Sequence, residues 1–103
     1  MSSLINKSVL RDMQLVQDCM LESRNAARAG KLYLAGQAMA AARDGCAATA
    51  ERIGSLADAL DKGEYHNGRL TRLRCLELKL STLRVTTAMR VMQIETAIKQ
   101  QAA

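Results

Sequence analysis

The chain has no proline, phenylalanine or tryptophan, and only Tyr33 and Tyr65 are aromatic. Strands favour aromatic and β-branched side chains, and nowhere does the sequence alternate apolar and polar residues as a half-buried strand does. Without proline, no pyrrolidine ring interrupts a helix. What fills the chain instead is Ala, Leu, Met, Arg, Gln and Glu, the residues with the best intrinsic helix propensity. The expected class is therefore all-α, with Ala, Leu and Met as core material. The scarcity of aromatics also removes the stacking platforms that single-strand nucleic-acid binders use.

Chemistry-bearing patterns are scarce as well. Cys19, Cys46 and Cys75 are odd in number and far apart, and no CxxC or Cys/His cluster exists. Neither a zinc site, a redox motif nor a disulfide framework is implied, and three free thiols point to a reducing, cytoplasmic setting. The one histidine, His66, sits in a glycine-containing stretch with Glu64 nearby and no ligand set around it. GxGxxG, GxxxxGK, GxSxG and HExxH are all absent. The expectation is a protein that is no enzyme, with no catalytic residue, metal, cofactor or small-molecule substrate. No apolar run is long enough to span a membrane, and Met1–Leu10 is interrupted by Asn6, Lys7 and Ser8, unlike a signal-peptide core.

With 103 residues the chain is expected to form one domain, which buries about two-thirds of its unfolded surface. Three periodic segments stand out, at about 3–29, 31–61 and 69–100, separated by glycines. In the first, Ile5, Val9, Met13, Val16, Met20 and Ala27 share one helical face. Leu10 and Leu21 widen it on one side, Leu15 and Cys19 on the other. Ser2 or Ser3 suits its N-cap, and Gly30 suits its end.

The second segment carries an unbroken ladder: Leu32, Ala35, Met39, Ala42, Cys46, Thr49, Ile53, Leu56 and Leu60, spaced three and four apart. Such a run predicts a coiled-coil-like helix. Most rungs are small, and flanks of Ala and Gly (Ala38, Ala41, Gly45 and Ala48; Ala40, Ala47, Ala50 and Gly54) let neighbours come close. Gln37, Asp44, Glu51 and Asp58 project opposite the ladder as a solvated ridge. The first ladder would continue through Gly30 to Leu34, whereas the second starts at Leu32. This phase slip predicts a turn at Gly30, the alternative being one continuous helix with a local irregularity.

Lys62–Gly68 marks the second connection, with Asn67 suited to capping the last helix. The third segment differs from the others. Leu73, Leu76, Leu80, Leu83, Thr87, Val91, Ile94 and Ile98 form one stripe, and Leu78, Val85, Met89 and Met92 fall nearly opposite. Arg72, Lys79 and Arg90 lie along one flank, and Glu77, Arg84 and Glu95 along the other. A helix with two apolar faces must bury both. Either its two neighbours cover both within the chain, or a second chain covers one of them.

Most of the net charge of +5 belongs to the last part of the chain, for residues 64–103 carry seven basic and three acidic side chains. Arg69, Arg72, Arg74 and Arg84 could contact phosphates, but leucines interrupt them and they are split between flanks.

Gly30, Leu32, Ala35, Met39 and Ala42 stand at offsets that resemble the second helix of a tetratricopeptide repeat, with Gly63 and Tyr65 one repeat length on. The chain departs from that pattern at Gly68, Arg72 and Cys75. Three helices, a Gly-x-Tyr turn and a methionine-rich face are also similar to small cytoplasmic chaperones of bacterial flagellar and type III secretion systems. That resemblance implies a protein that shields aggregation-prone helical subunits before export.

The combined expectation is a three-helix antiparallel bundle with long coiled-coil-like arms and the third helix central. Its expected role is that of a small cytoplasmic adaptor or chaperone, binding a protein partner or a second copy by helix–helix contact. Leu78, Val85, Met89 and Met92 would make that contact, steered by Arg72, Lys79 and Arg90. A nucleic-acid-associated regulator and a self-assembling structural subunit are the alternatives.

Overall fold

The computed structural model describes residues 7–62 and 68–102. It contains three helices, α1 (Lys7–Arg28), α2 (Leu32–Asp61) and α3 (Arg69–Ala102). Ile5, the caps expected at Ser2, Ser3 and Asn67, and the stretch with Gly63, Glu64, Tyr65 and His66 lie outside the described residues.

The turn at Gly30 is real. Gly30 adopts φ 77°, a left-handed conformation that costs a Cβ-free residue little. Its N–H donates to the Ala27 carbonyl, and the Lys31 N–H donates to the Ala26 carbonyl at 2.8 Å. This pair of bonds closes the orphan carbonyls at the end of α1 and reverses the chain within three residues. Gly68 is also left-handed, at φ 76°, and its carbonyl accepts the Arg72 N–H at the start of α3.

Each neighbouring pair of helices is antiparallel. The Ser23 hydroxyl donates to the Ala35 carbonyl at one end of α1–α2, and Arg52 reaches Asp12 and Ser8 at the other. On the other side, Gly54 faces Glu77 while Gly36 faces Ile94.

The central helix is α2, not α3. It packs against both neighbours, and among the described residues no Cα of α1 comes within 8 Å of a Cα of α3. The expectation of a central third helix is corrected on this point, and the reason is the slimness of α2. A Cβ built on Gly45 would sit 2.8 Å from Val16 Cγ2 of α1, and one on Gly36 would sit 3.3 Å from Ile94 Cγ2 of α3. Gly36, Gly45 and Gly54 are nine residues apart, about two and a half helical turns, so successive glycines face opposite sides. Neighbours therefore press on α2 from both sides. The result is an elongated, flat layer with extents of 60 × 21 × 15 Å.

The ladder is the core. Ala35, Met39, Ala42, Cys46, Thr49 and Ile53 are buried, whereas Gln37, Asp44, Glu51 and Asp58 are exposed. Val9 and Val16 from α1 and Leu73, Leu80, Thr87 and Val91 from α3 complete it. Ala27, expected on the buried face of α1, is exposed. It lies in the turn that Gly30 closes, and Ser23 occupies the last buried position instead. Leu10, Leu15 and Leu21 are all more than half exposed. Each buried side-chain oxygen or nitrogen among the described residues has a partner.

Two substitution pairs test this packing. Gly45→Ala should lose about 1–3 kcal/mol by overpacking against stiff Val16, outweighing the gain in helix propensity. Gly54→Ala meets only the end of flexible Glu77 and should cost less, as compared by urea denaturation. Ala42→Glu puts a carboxylate into the core and should unfold or severely destabilise the chain. Asp44→Ala on the ridge should change stability by less than about 0.5 kcal/mol. Similar melting losses for Ala42→Glu and Asp44→Ala would contradict the assigned face.

Candidate helix-docking face

Because α2 covers one stripe of α3, the opposite face of α3 has no neighbour among the described residues. Leu78, Val85, Met89 and Met92 lie there at 67%, 59%, 56% and 66% exposure. This is where the sequence pattern placed them, opposite buried Leu73, Leu80, Thr87 and Val91.

The row is longer than those four residues. Thr71, Cys75, Leu78, Thr82, Val85, Met89, Met92 and Thr96 alternate steps of four and three, and all eight are exposed. This is a heptad seam of the kind that carries a coiled-coil contact. Sequence reading missed its polar rungs, because it searched for large apolar residues. The spacing alone was sufficient to find them.

The threonines are less polar than their type suggests. Thr82 donates its hydroxyl to the Leu78 carbonyl and Thr96 donates to the Met92 carbonyl, each at 2.9 Å. A hydroxyl that donates back to its own helix has its proton satisfied, keeps only its acceptor lone pairs for solvent, and leaves the γ-methyl for packing. A shallow depression of about 420 Å³ lies at the C-terminal end of the seam, lined by Met89, Met92, Gln93 and Thr96.

Arg72, Lys79 and Arg90 are exposed beside this seam. Arg90 also lines an open trough of about 520 Å³ between α1 and α3, together with Arg24, Met20, Met39 and Ile94. The trough was not legible in the sequence, since it depends on α1 and α3 standing apart on either side of α2.

Of the arginines expected to meet phosphates, Arg74 is engaged within the fold. It donates to Asp58 at 2.6 Å and to Glu77 at 3.1 Å. These hydrogen bonds, to Asp58 first, push its guanidinium further toward the protonated state. Arg69, Arg72 and Arg84 are exposed. Arg72 and Arg84 are twelve residues apart, which places them about a third of a turn from each other around the axis.

No group of His, Cys, Asp and Glu among the described residues could hold a metal ion. No described helix is long and apolar enough to cross a membrane. All three cysteines are free: Cys46 is buried, Cys19 half-buried and Cys75 exposed. Burial raises the Cys46 thiol above its ordinary range. No family model, curated protein or solved structure matches the chain.

The thiols give a direct check on this arrangement. Since the thiolate is the nucleophile, native alkylation should modify Cys75 fastest, Cys19 more slowly and Cys46 only on unfolding. Mass spectrometry of partially alkylated protein reads the order, and early loss of the Cys46 thiol would contradict the core assignment.

Proposed function

We propose that the chain is a small cytoplasmic helical adaptor or chaperone that binds a protein partner through helix–helix contacts on the outer face of α3. The observation that supports this reading is the exposed row Leu78, Val85, Met89 and Met92 on a face that α2 leaves uncovered. Contiguous exposed apolar surface of this kind marks interaction sites. An amphipathic helix is the natural occupant, since heptad rungs accept the knobs of another helix.

Magnitudes set the length of contact. Burying each of the four apolar side chains contributes about 1.5–3 kcal/mol. Association itself costs roughly 4–15 kcal/mol. Four anchors only just offset that cost, so a stable complex needs the threonine rungs and the flanks as well. Arg72, Lys79 and Arg90 beside the seam favour acidic side chains on the docked helix and speed its encounter.

The nucleic-acid reading has narrower support, because Arg74 is already held by two carboxylates. Affinity for DNA that collapses steeply with added salt would favour it over the adaptor reading.

The test places a photocrosslinking residue at position 85 in the cell of origin. A protein, or a second copy, should crosslink there. Val85→Asp combined with Met89→Lys should abolish the association while circular dichroism shows unchanged helical content. If nothing crosslinks at position 85, the face is not a docking surface.

A further inference from the structure

We propose that the trough between α1 and α3 is a second docking site, separate from the outer face of α3, and that its occupant is an acidic amphipathic helix of another protein.

All three helices build the trough. Met20 of α1, Met39 of α2 and Ile94 of α3 form its apolar floor, and Arg24 and Arg90 stand exposed on opposite rims. Along α1 the lining runs from Gln17 to Ala27, about 15 Å or three helical turns.

The charge of the trough is one-sided. Its lining holds two arginines and no acidic residue. Arg43, Arg52 and Arg74 each hold a carboxylate of the chain, whereas Arg24 and Arg90 form no ion pair among the described residues. The described acids all lie elsewhere. Asp12, Asp18 and Glu22 stand about 120–160° around α1 from Arg24, and Glu77 and Glu95 about 140° around α3 from Arg90. Asp44, Glu51 and Asp58 form the ridge opposite the ladder, and Asp61 lies about 33 Å along α2 from Met39. The chain keeps its own carboxylates away from these two cations, so their complement comes from outside.

Two features of the site select the occupant. The arginines require negative charge on both flanks, and the floor requires an apolar stripe between them. A helix with carboxylates on either side of its apolar face meets both requirements. Met20 and Met39 can adapt their shape to its side chains. A small anionic ligand fits less well, since small-molecule sites bury most of their ligand and this trough is open. A nucleic acid would leave the floor without an apolar complement, and no aromatic side chain lines the trough for its bases.

Arg90 borders the outer face of α3 as well as the trough, so the test relies on α1. A photocrosslinking residue replaces Gln17 in the full chain, in the cell of origin, and mass spectrometry maps what it captures. The captured segment should belong to another protein, with apolar residues three and four apart flanked by Asp or Glu. A labelled peptide of that segment should bind the purified chain, less tightly as salt rises. Arg24→Glu should weaken binding several-fold, and Arg24→Glu with Arg90→Glu about tenfold, because like charges then face one another. Circular dichroism should show unchanged helical content in both variants. A peptide with its flanking acids replaced by lysine should prefer the doubly reversed chain to the wild type. Val85→Asp with Met89→Lys should leave peptide binding intact. Capture of a basic or uncharged segment, a nucleic acid or a second copy would overturn the proposal. So would binding indifferent to the charge reversals, or no capture at position 17. Capture at position 85 without capture at position 17 removes the trough site and leaves the outer face of α3 standing, and the converse result does the opposite.

Discussion

The fold depends on α2 being slim. With Gly36, Gly45 and Gly54 at the points of closest approach, and Ala35, Ala42 and Ala57 fully buried, its backbone lies close to helices on two sides. Each glycine costs about 1 kcal/mol of helix propensity against alanine. Close packing must offset that cost, and Val16 against Gly45 shows how tightly it does so. Had α2 carried large side chains on its flanks, α1 and α3 would stand off from it. Because the glycines alternate sides, the neighbours spread into a flat layer. That flatness leaves one long face of α3 without an internal neighbour.

Much of this was legible in the sequence, because helical periodicity is a local property. The ladder from Ala35 to Ile53 is buried as its spacing required, and the ridge from Gln37 to Asp58 is exposed. The phase slip at Gly30 marked a turn that the structure closes with two backbone bonds. The place of α2 in the layer was harder to read. Its flanks are alanine and glycine, which contribute little apolar character to a helical wheel. α3 has two apolar faces and therefore appeared to need the most neighbours. Small residues record close approach rather than hydrophobicity, and an argument weighted by apolar size overlooks them. The outer face of α3 was legible at its four large residues. Its threonine rungs share the same spacing, but a pattern drawn from large apolar residues alone leaves them out.

Ion pairs set alignment more than stability here. Arg52 ties α2 to Asp12 and Ser8 of α1, and Arg74 ties α3 to Asp58 of α2. Arg52 is exposed and Arg74 half-buried with its side chain still 41% exposed, and pairs that water reaches in this way contribute about 0–1 kcal/mol. Their value lies in position. One clasps α1 to α2 beside the Val9 end of the core, the other clasps α2 to α3 beside Leu73. Sliding either pair of helices by a turn would break a clasp and also drive a glycine contact out of register. Arg74 has a further consequence, since Asp58 and Glu77 neutralise it and leave Arg69, Arg72 and Lys79 as the positive charge near the N-terminal end of the outer seam.

The composition of that seam would set the strength of the proposed contact. A seam built only of leucine would be costly to leave exposed and would pair almost irreversibly. Here threonine or cysteine stands between or beyond the larger rungs, and two of the four large residues are methionine. Threonine lowers the apolar area that water must cover in the free chain. Methionine adapts its shape to different neighbours and specifies none of them strongly. Both choices favour an interface that opens and closes over one that is permanent. The sequence thus keeps heptad spacing strict while holding the chemistry of the rungs moderate. In the proposed contact, spacing would determine where a helix docks, and rung chemistry how readily it leaves.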